Sequence, residues 1–179
     1  MKTFLFKKVL FLCAGLALVL NACQEAPVRY TQNSPEIDTV KKLISNYDSK
    51  NFDTSMYADT SKTYYNTNDV AMSASEAMDY HKQTDINYAS RGFGNENQEY
   101  EMVVTDDGET WVNSWLDWKG TMAITGKEIE IPIHLTFQFV DGKIVREHGY
   151  WDPTEIVLEL QKIEAESKMM EEEQEEQTE

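Results

Sequence analysis

Arg146, His148, Tyr150 and Asp152 stand at every second position of one short segment. Alternate residues of a strand share a face, so this spacing would gather a guanidinium, an imidazole, a phenol and a carboxylate side by side. A carboxylate and an imidazole within reach of one bound molecule are the usual tools of general acid–base chemistry, and a phenol adds a donor. Each residue also has a plainer reading. Asp152 precedes Pro153 and a helical pattern, where a carboxylate caps free N–H groups. A histidine on an apolar face is ordinarily a hydrogen-bonded core residue. Arg146 suits either a surface pair or a clamp for an anion. His81 and His134 lie far off in the chain, and three scattered histidines carry no zinc-ligand spacing. The sequence has no glycine-rich phosphate loop, serine elbow or cysteine nucleophile. Neither a cofactor nor a metal is expected.

The two cysteines, Cys13 and Cys23, both fall near the start. Lys2, Lys7 and Lys8 precede an apolar stretch, residues 9–20, that is too short to span a bilayer comfortably. It ends in Leu20-Asn21-Ala22-Cys23, which resembles the bacterial lipobox. That resemblance implies lipid on Cys23 as the first residue of the mature chain. The expected organisation is a signal peptide over 1–22, a tether over 23–33, one domain over 34–163 and an acidic tail over 164–179. The expected address is the bacterial cell envelope, on the outer membrane, with the lipid as the membrane contact. The chain of 179 residues has 16 Lys+Arg against 32 Asp+Glu, a net charge of −16. Such an acid excess excludes direct nucleic-acid binding, which depends on cations at phosphates. It also repels anionic lipid, so lipid chains and not a basic patch must do the anchoring.

Ser34-Pro35-Glu36 supplies a cap, a proline at the first helical position and an acid in the first turn. With Ile37, Val40, Ile44 and Tyr47 at helical spacing, it predicts a helix over 35–50. A helical turn is expected over 53–57 and a strand over 62–65. Ser73 and Glu76 form a capping-box pattern that opens a second helix, expected to run to 89. The period then changes. Strands are predicted over 100–105, 110–122, 128–140 and 143–151, with Asp107-Gly108 and Asp141-Gly142 as hairpin signals. Pro153 opens a last helix with Ile156, Val157, Leu160 and Ile163 on one stripe. Residues 164–179 are a solvated helix end or disorder.

Hairpin register assigns the faces. A two-residue turn at Asp141-Gly142 sets Phe139 opposite Ile144, Phe137 opposite Arg146, Leu135 opposite His148 and Ile133 opposite Tyr150. A tight turn at 125–126 or 126–127 adds Val112, Ser114, Leu116 and Trp118 to the same face. Six consecutive odd apolar positions, Ile129 to Phe139, mark that face as buried. On this register Arg146, His148, Tyr150 and Asp152 point inward, and Tyr64, His81, Ser114, Trp118 and Arg146 are the candidate pocket lining. The opposite face holds Trp111, Trp115, His134, Glu147 and Trp151, an amphipathic surface that a second subunit could cover. A bulge would exchange the two faces beyond its position.

The segment from Gly126-Lys127-Glu128 and from Ile133 to Pro153 resembles the C-terminal half of nuclear transport factor 2-like proteins of the SnoaL-like subgroup. Its marks are the hairpin Val140-Asp141-Gly142-Lys143-Ile144 and the ending Tyr150-Trp151-Asp152. With the order of elements, the resemblance covers roughly residues 34–161. It implies an α+β cone: a curved antiparallel sheet packed on N-terminal helices, a C-terminal helix and an interior pocket. It also implies homodimers formed through the outer sheet face. The family includes polyketide cyclases, isomerases and dehydratases, in which pocket Asp or His residues move protons, and also non-catalytic binding modules. Asp152 resembles the position of a pocket Asp in several enzyme members. The leading expectation is a lipid-anchored protein that binds a small apolar ligand without catalysis. One alternative is a cyclase-, isomerase- or hydratase-type enzyme using Asp152, His148 and Tyr150. Another is a homodimeric scaffold in an envelope assembly.

Overall fold

The structure, a computed structural model, describes residues 28–176. The expected signal peptide, Cys23 and the first part of the expected tether lie outside the described residues.

Helix α1, Pro35–Asp48, starts where the cap was expected, with Ser34 Oγ accepting from the Ile37 N–H at 3.3 Å. It buries Ile37, Val40, Leu43 and Ile44. Strand β1, Tyr30–Thr31, pairs with the later strand β4, Glu99–Val104, so part of the expected tether is ordered. Helix α2, Ala74–Thr84, has the reciprocal Ser73–Glu76 capping box. It stops five residues before the expected end. A single 3₁₀ turn, Asp85–Asn87, leads into strand β3, Tyr88–Gly92. That segment pairs with the end of β5, Thr110–Met122, and the Tyr88 ring meets Trp118 edge-on at 5.2 Å. Pairing and aromatic packing thus override the local helical pattern.

Strand β2, Tyr57–Tyr65, is longer than expected, and before it a single turn closed by Tyr57 N–H to Thr54 O at 2.9 Å stands where a helical turn was expected over 53–57. There Asp53 Oδ1 accepts from the Ser55 N–H at 2.9 Å, a turn that turns the chain into the strand. β2 runs parallel to β7, Lys143–Tyr150, so the sheet is mixed and not wholly antiparallel. With β6, Glu128–Val140, the path across the sheet is β1-β4-β5-β6-β7-β2, and β3 also borders β5. The last helix, α3, Thr154–Glu176, packs Ile156, Leu160 and Ile163 on the core and continues into the acidic segment. No described helix is long and apolar enough to cross a membrane.

The faces divide on one local event. The β5–β6 loop, residues 123–127, is closed by Gly126 N–H to Met122 O and keeps the expected parity. Val112 therefore pairs with Phe137, Leu116 with Ile133 and Trp118 with Ile131. At the β6–β7 turn Asp141 and Gly142 both have positive φ, 50° and 73°, as a two-residue turn of the favoured hand requires. Phe139 pairs with Ile144 as expected, but the next partner of Gln138 is Arg146. Val145 is an extra residue, a β-bulge, and it turns over everything after it. Ile144, Glu147 and Gly149 are buried, while Arg146 and Tyr150 are exposed. The expectation that Arg146, His148 and Tyr150 point inward is therefore overturned.

Candidate functional site

The bulge places a carboxylate in the interior. Glu147 is 4 % exposed. Strand β2 pairs with β7 so that Thr63 stands beside Glu147, with Tyr65 two residues further on. Glu147 Oε2 accepts from Tyr57 Oη at 2.8 Å and from Thr63 Oγ1 at 3.1 Å. Its Oε1 accepts from Tyr65 Oη at 3.3 Å. All three partners are neutral hydroxyls. Burial raises the Glu147 carboxyl above the usual range, and the three hydrogen bonds only partly offset this. A carboxylate offers about four acceptor positions. Three are taken, which leaves one on Oε1.

Tyr65 Oη also lies 3.0 Å from His81 Nε2. A phenol has one proton. When Tyr65 donates it to Glu147, His81 must carry hydrogen on Nε2 and donate to Tyr65. The result is a directed chain, His81 to Tyr65 to Glu147. Burial, with Arg91 adding to it, pushes His81 down to about 4, so its ring is neutral at pH 7.

Glu147, Tyr57, Tyr65 and His81 line a cavity of about 120 Å³. Its other walls include Leu43 and Tyr47 of α1, Trp118 of β5, and Ile131, Ile133 and Leu135 of β6. Trp118 Nε1 donates to Tyr47 Oη at 3.0 Å, which fixes both rings. A cavity near this size holds a molecule about as large as benzene. Asn51 and the 42 % exposed Tyr80 are also part of the lining, so the cavity reaches the surface. Gly149 lets the lining side chains of Trp151 and Tyr65 pack closely over β7. A Cβ there would stand 2.8 Å from Trp151 Cζ3 and 3.0 Å from Tyr65 Cδ1.

Of the residues singled out in the sequence, His81 and Trp118 line the cavity. Ser114 is fully buried but spends its hydroxyl on Leu135 O at 3.2 Å, away from the lining. Tyr64 is not in the pocket either. It stacks on His148 on the outer face, ring centroids 4.7 Å apart, with Tyr150 stacked at 6.1 Å beyond. Arg146 is exposed on that face. Asp152 is exposed, and its Oδ1 accepts from the N–H of Thr154 at 2.9 Å and from its hydroxyl. Those bonds hold its carboxyl below the usual range, the opposite of what a base at neutral pH needs. Asp152, His148 and Tyr150 thus do not assemble at the cavity. Trp151, expected outside, lines it.

Glu147, Tyr57 and Tyr65 are what the register argument missed. The available signal was Gly149. An isolated glycine inside a strand marks a bulge or a close approach, and this one marks a close approach next to a bulge. Among the described residues no cluster of three His, Cys, Asp or Glu side chains could hold a metal ion.

No family model matches the sequence, and no curated protein matches it in sequence. Solved structures do match the fold. A protein described as a polyketide cyclase from Xanthomonas campestris aligns with a TM-score of 0.59 at 14% identity, over 72% of this chain and 98% of its own. A nuclear transport factor 2-like protein of unknown function from Burkholderia pseudomallei aligns at 0.55 with 10% identity, over 70% of this chain and 96% of its own. A SnoaL-like polyketide cyclase from Agrobacterium tumefaciens aligns at 0.52 with 15% identity, over 72% and 99%. At such identities the likeness establishes the fold, a curved α+β cone, and not the chemistry.

Proposed function

We propose that this nuclear transport factor 2-like domain binds a small, largely apolar carbonyl compound in its cone and moves a proton on it with Glu147. The observation that carries this reading is a buried carboxylate, raised above its usual range, with an acceptor position left at an apolar cavity. In the step, Oε1 takes the proton from the carbon beside the carbonyl. The electrons of that C–H bond pass into a new C=C bond, and the carbonyl π pair moves onto oxygen as an enolate. Returning the proton to another carbon of a conjugated system gives isomerisation. Returning it to the same carbon gives exchange. Tyr65, backed by neutral His81, holds the carboxylate in place.

Similarity of fold to proteins described as polyketide cyclases supports a reaction of this class. The test is deuterium incorporation beside the carbonyl of small cyclic ketones in D2O, followed by NMR. The wild-type chain should accelerate it, and Asp152→Asn should match wild type. Binding without acceleration across such a panel would return the domain to the purely ligand-binding reading.

The outer face favours a second role beside the first. Tyr64, His148, Tyr150, His134 and Trp115 form a continuous row of ring contacts across four strands. Trp115 and Tyr150 are each 43 % exposed, and the buried Nδ1 atoms of His134 and His148 have no partner among the described residues. We propose that a second copy covers this row. Sedimentation should show a dimer that Trp115→Asp dissociates, and a monomeric wild type at tens of micromolar would refute it. Lipid on Cys23, holding the domain at the envelope, is part of the same proposal. It is read from the mass of the mature N-terminal peptide, where an unmodified cysteine would count against it.

A further inference from the structure

The outer face of the sheet carries its charges unevenly. Across the order β1-β4-β5-β6-β7-β2, Glu99 and Glu101 of β4 stand near one edge, and Arg146 of β7 and Lys62 of β2 near the other. Register puts all four on the same side. Glu99 pairs with Trp115 and Glu101 with Asn113, while Lys62 pairs with Arg146, next to the inward pair of Thr63 and Glu147. Between the edges runs the row of rings from Trp115 to Tyr64. Arg146 is exposed and makes no ion pair among the described residues. The acidic edge is hollow. A second cavity, of about 290 Å³, is lined there by Tyr30, Gln32, Glu99, Tyr100, Glu101 and Trp115. Thr136 Oγ1 donates to Asn113 Oδ1 at 2.8 Å, and Asn113 Nδ2 donates to Glu101 Oε1 at 3.1 Å, which fixes that carboxylate through one oxygen. Two carboxylates beside an indole suit a guanidinium, which bonds carboxylates through its fork of N–H groups and stacks on rings.

We infer that this second cavity takes the Arg146 side chain of a second copy, so that the two-fold axis of the dimer runs along the strands. The inference rests on the reading that a second copy covers the ring row, and it fixes how that copy is turned. A two-fold axis stacks two sheets face to face in two simple ways. An axis across the strands brings each edge onto the same edge of the other copy, so Glu99 and Glu101 would meet their own like charges. An axis along the strands brings β4 of one copy over β7 and β2 of the other. Each acidic cavity then faces Arg146 and Lys62 of the partner subunit, twice per dimer, with the rings of both copies between. Like charges set against each other across an interface are costly, and complementary ones fix its register. Glu101 lies in the row of Asn113, Thr136 and His148, two residues along β7 from Arg146. That offset is about 6–7 Å, within the reach of an arginine side chain.

Sedimentation of the full chain tests this with two charge reversals. Arg146→Glu sets a carboxylate against the acidic cavity, and Glu101→Lys sets an ammonium against Arg146. Each variant alone should lose dimer affinity by roughly tenfold or more relative to wild type. An equimolar mixture of the two should dimerise again, because the mixed dimer restores one native contact and makes its charge-reversed counterpart at the other. Lys62→Glu and Glu99→Lys, both at exposed positions, repeat the pairing should either variant fold poorly. Variants that dimerise as tightly as wild type overturn the inference, and so does a mixture that stays monomeric. In both of those cases a wild-type dimer that Trp115→Asp dissociates leaves the dimer reading standing. A monomeric wild type removes that reading, and the inference with it.

Discussion

Glu147→Gln is expected to lower deuterium exchange on a bound ketone by about 10²- to 10⁴-fold while the fold survives. The amide is nearly isosteric, so the cavity keeps its shape. It keeps one carbonyl oxygen for the hydroxyls of Tyr57, Thr63 and Tyr65, which can rotate to meet the new NH₂ group. What it loses is the ability to take up and release a proton. Glu147→Ala separates structure from chemistry differently. It leaves the hydroxyls of fully buried Thr63 and of buried Tyr57 without their acceptor, and it enlarges the cavity. Unpaired buried hydroxyls and an added void together cost on the order of 2–5 kcal/mol. The urea midpoint should therefore drop sharply for the alanine variant and little for the glutamine one. If both variants exchange as fast as wild type, Glu147 is a structural acceptor only.

Acid should weaken the fold through His81. The folded ring is pushed down to about 4, against about 6.5 in an exposed chain. As pH falls through that interval the unfolded chain takes up the proton first, so unfolding becomes easier. The stability that neutral His81 supplies is complete above 6.5 and is lost by about 4, up to about 3 kcal/mol in all. Glu147 acts with the opposite sign. Its folded carboxyl holds its proton to higher pH than an exposed one, so its contribution falls as pH rises through the interval just above its ordinary value. Urea unfolding between pH 4 and 7 should show a smaller acid loss in His81→Gln than in wild type. In Glu147→Gln it should show a steeper one. Identical slopes in wild type and His81→Gln would mean that His81 is not held neutral by the fold.

Much of the frame was legible because its signals are local. Ser34-Pro35 and the Ser73–Glu76 pair fixed two helix starts, and Asp141-Gly142 fixed the hairpin. The odd-numbered apolar run from Ile129 to Phe139 identified the core face, and Trp118 and His81 stand in the cavity lining. The candidate site was lost to a single residue. Parity arguments accumulate along a strand, so one unpaired Val145 moved a carboxylate inward and an imidazole and a phenol outward. Nothing in the type of Val145 announces a bulge, since valine is an ordinary strand residue. The parallel pairing of β2 with β7, which brings Tyr57, Thr63 and Tyr65 to Glu147, is a contact across about 80 to 90 residues. No short pattern encodes it. Asp152 was recognisable as a cap from its place before Pro153, and the structure gives it that kind of bond.

Proton transfer in the cavity depends on Glu147 holding a proton more tightly than an ordinary glutamate does. Infrared difference titration reads this directly, from the carboxyl band that is present in wild type and absent in Glu147→Gln. The band should titrate with a midpoint above the ordinary value of about 4.5 and shift when a ketone fills the cavity. A midpoint at or below that value, unmoved by ketone, would show a solvated or purely structural carboxylate and contradict the assignment.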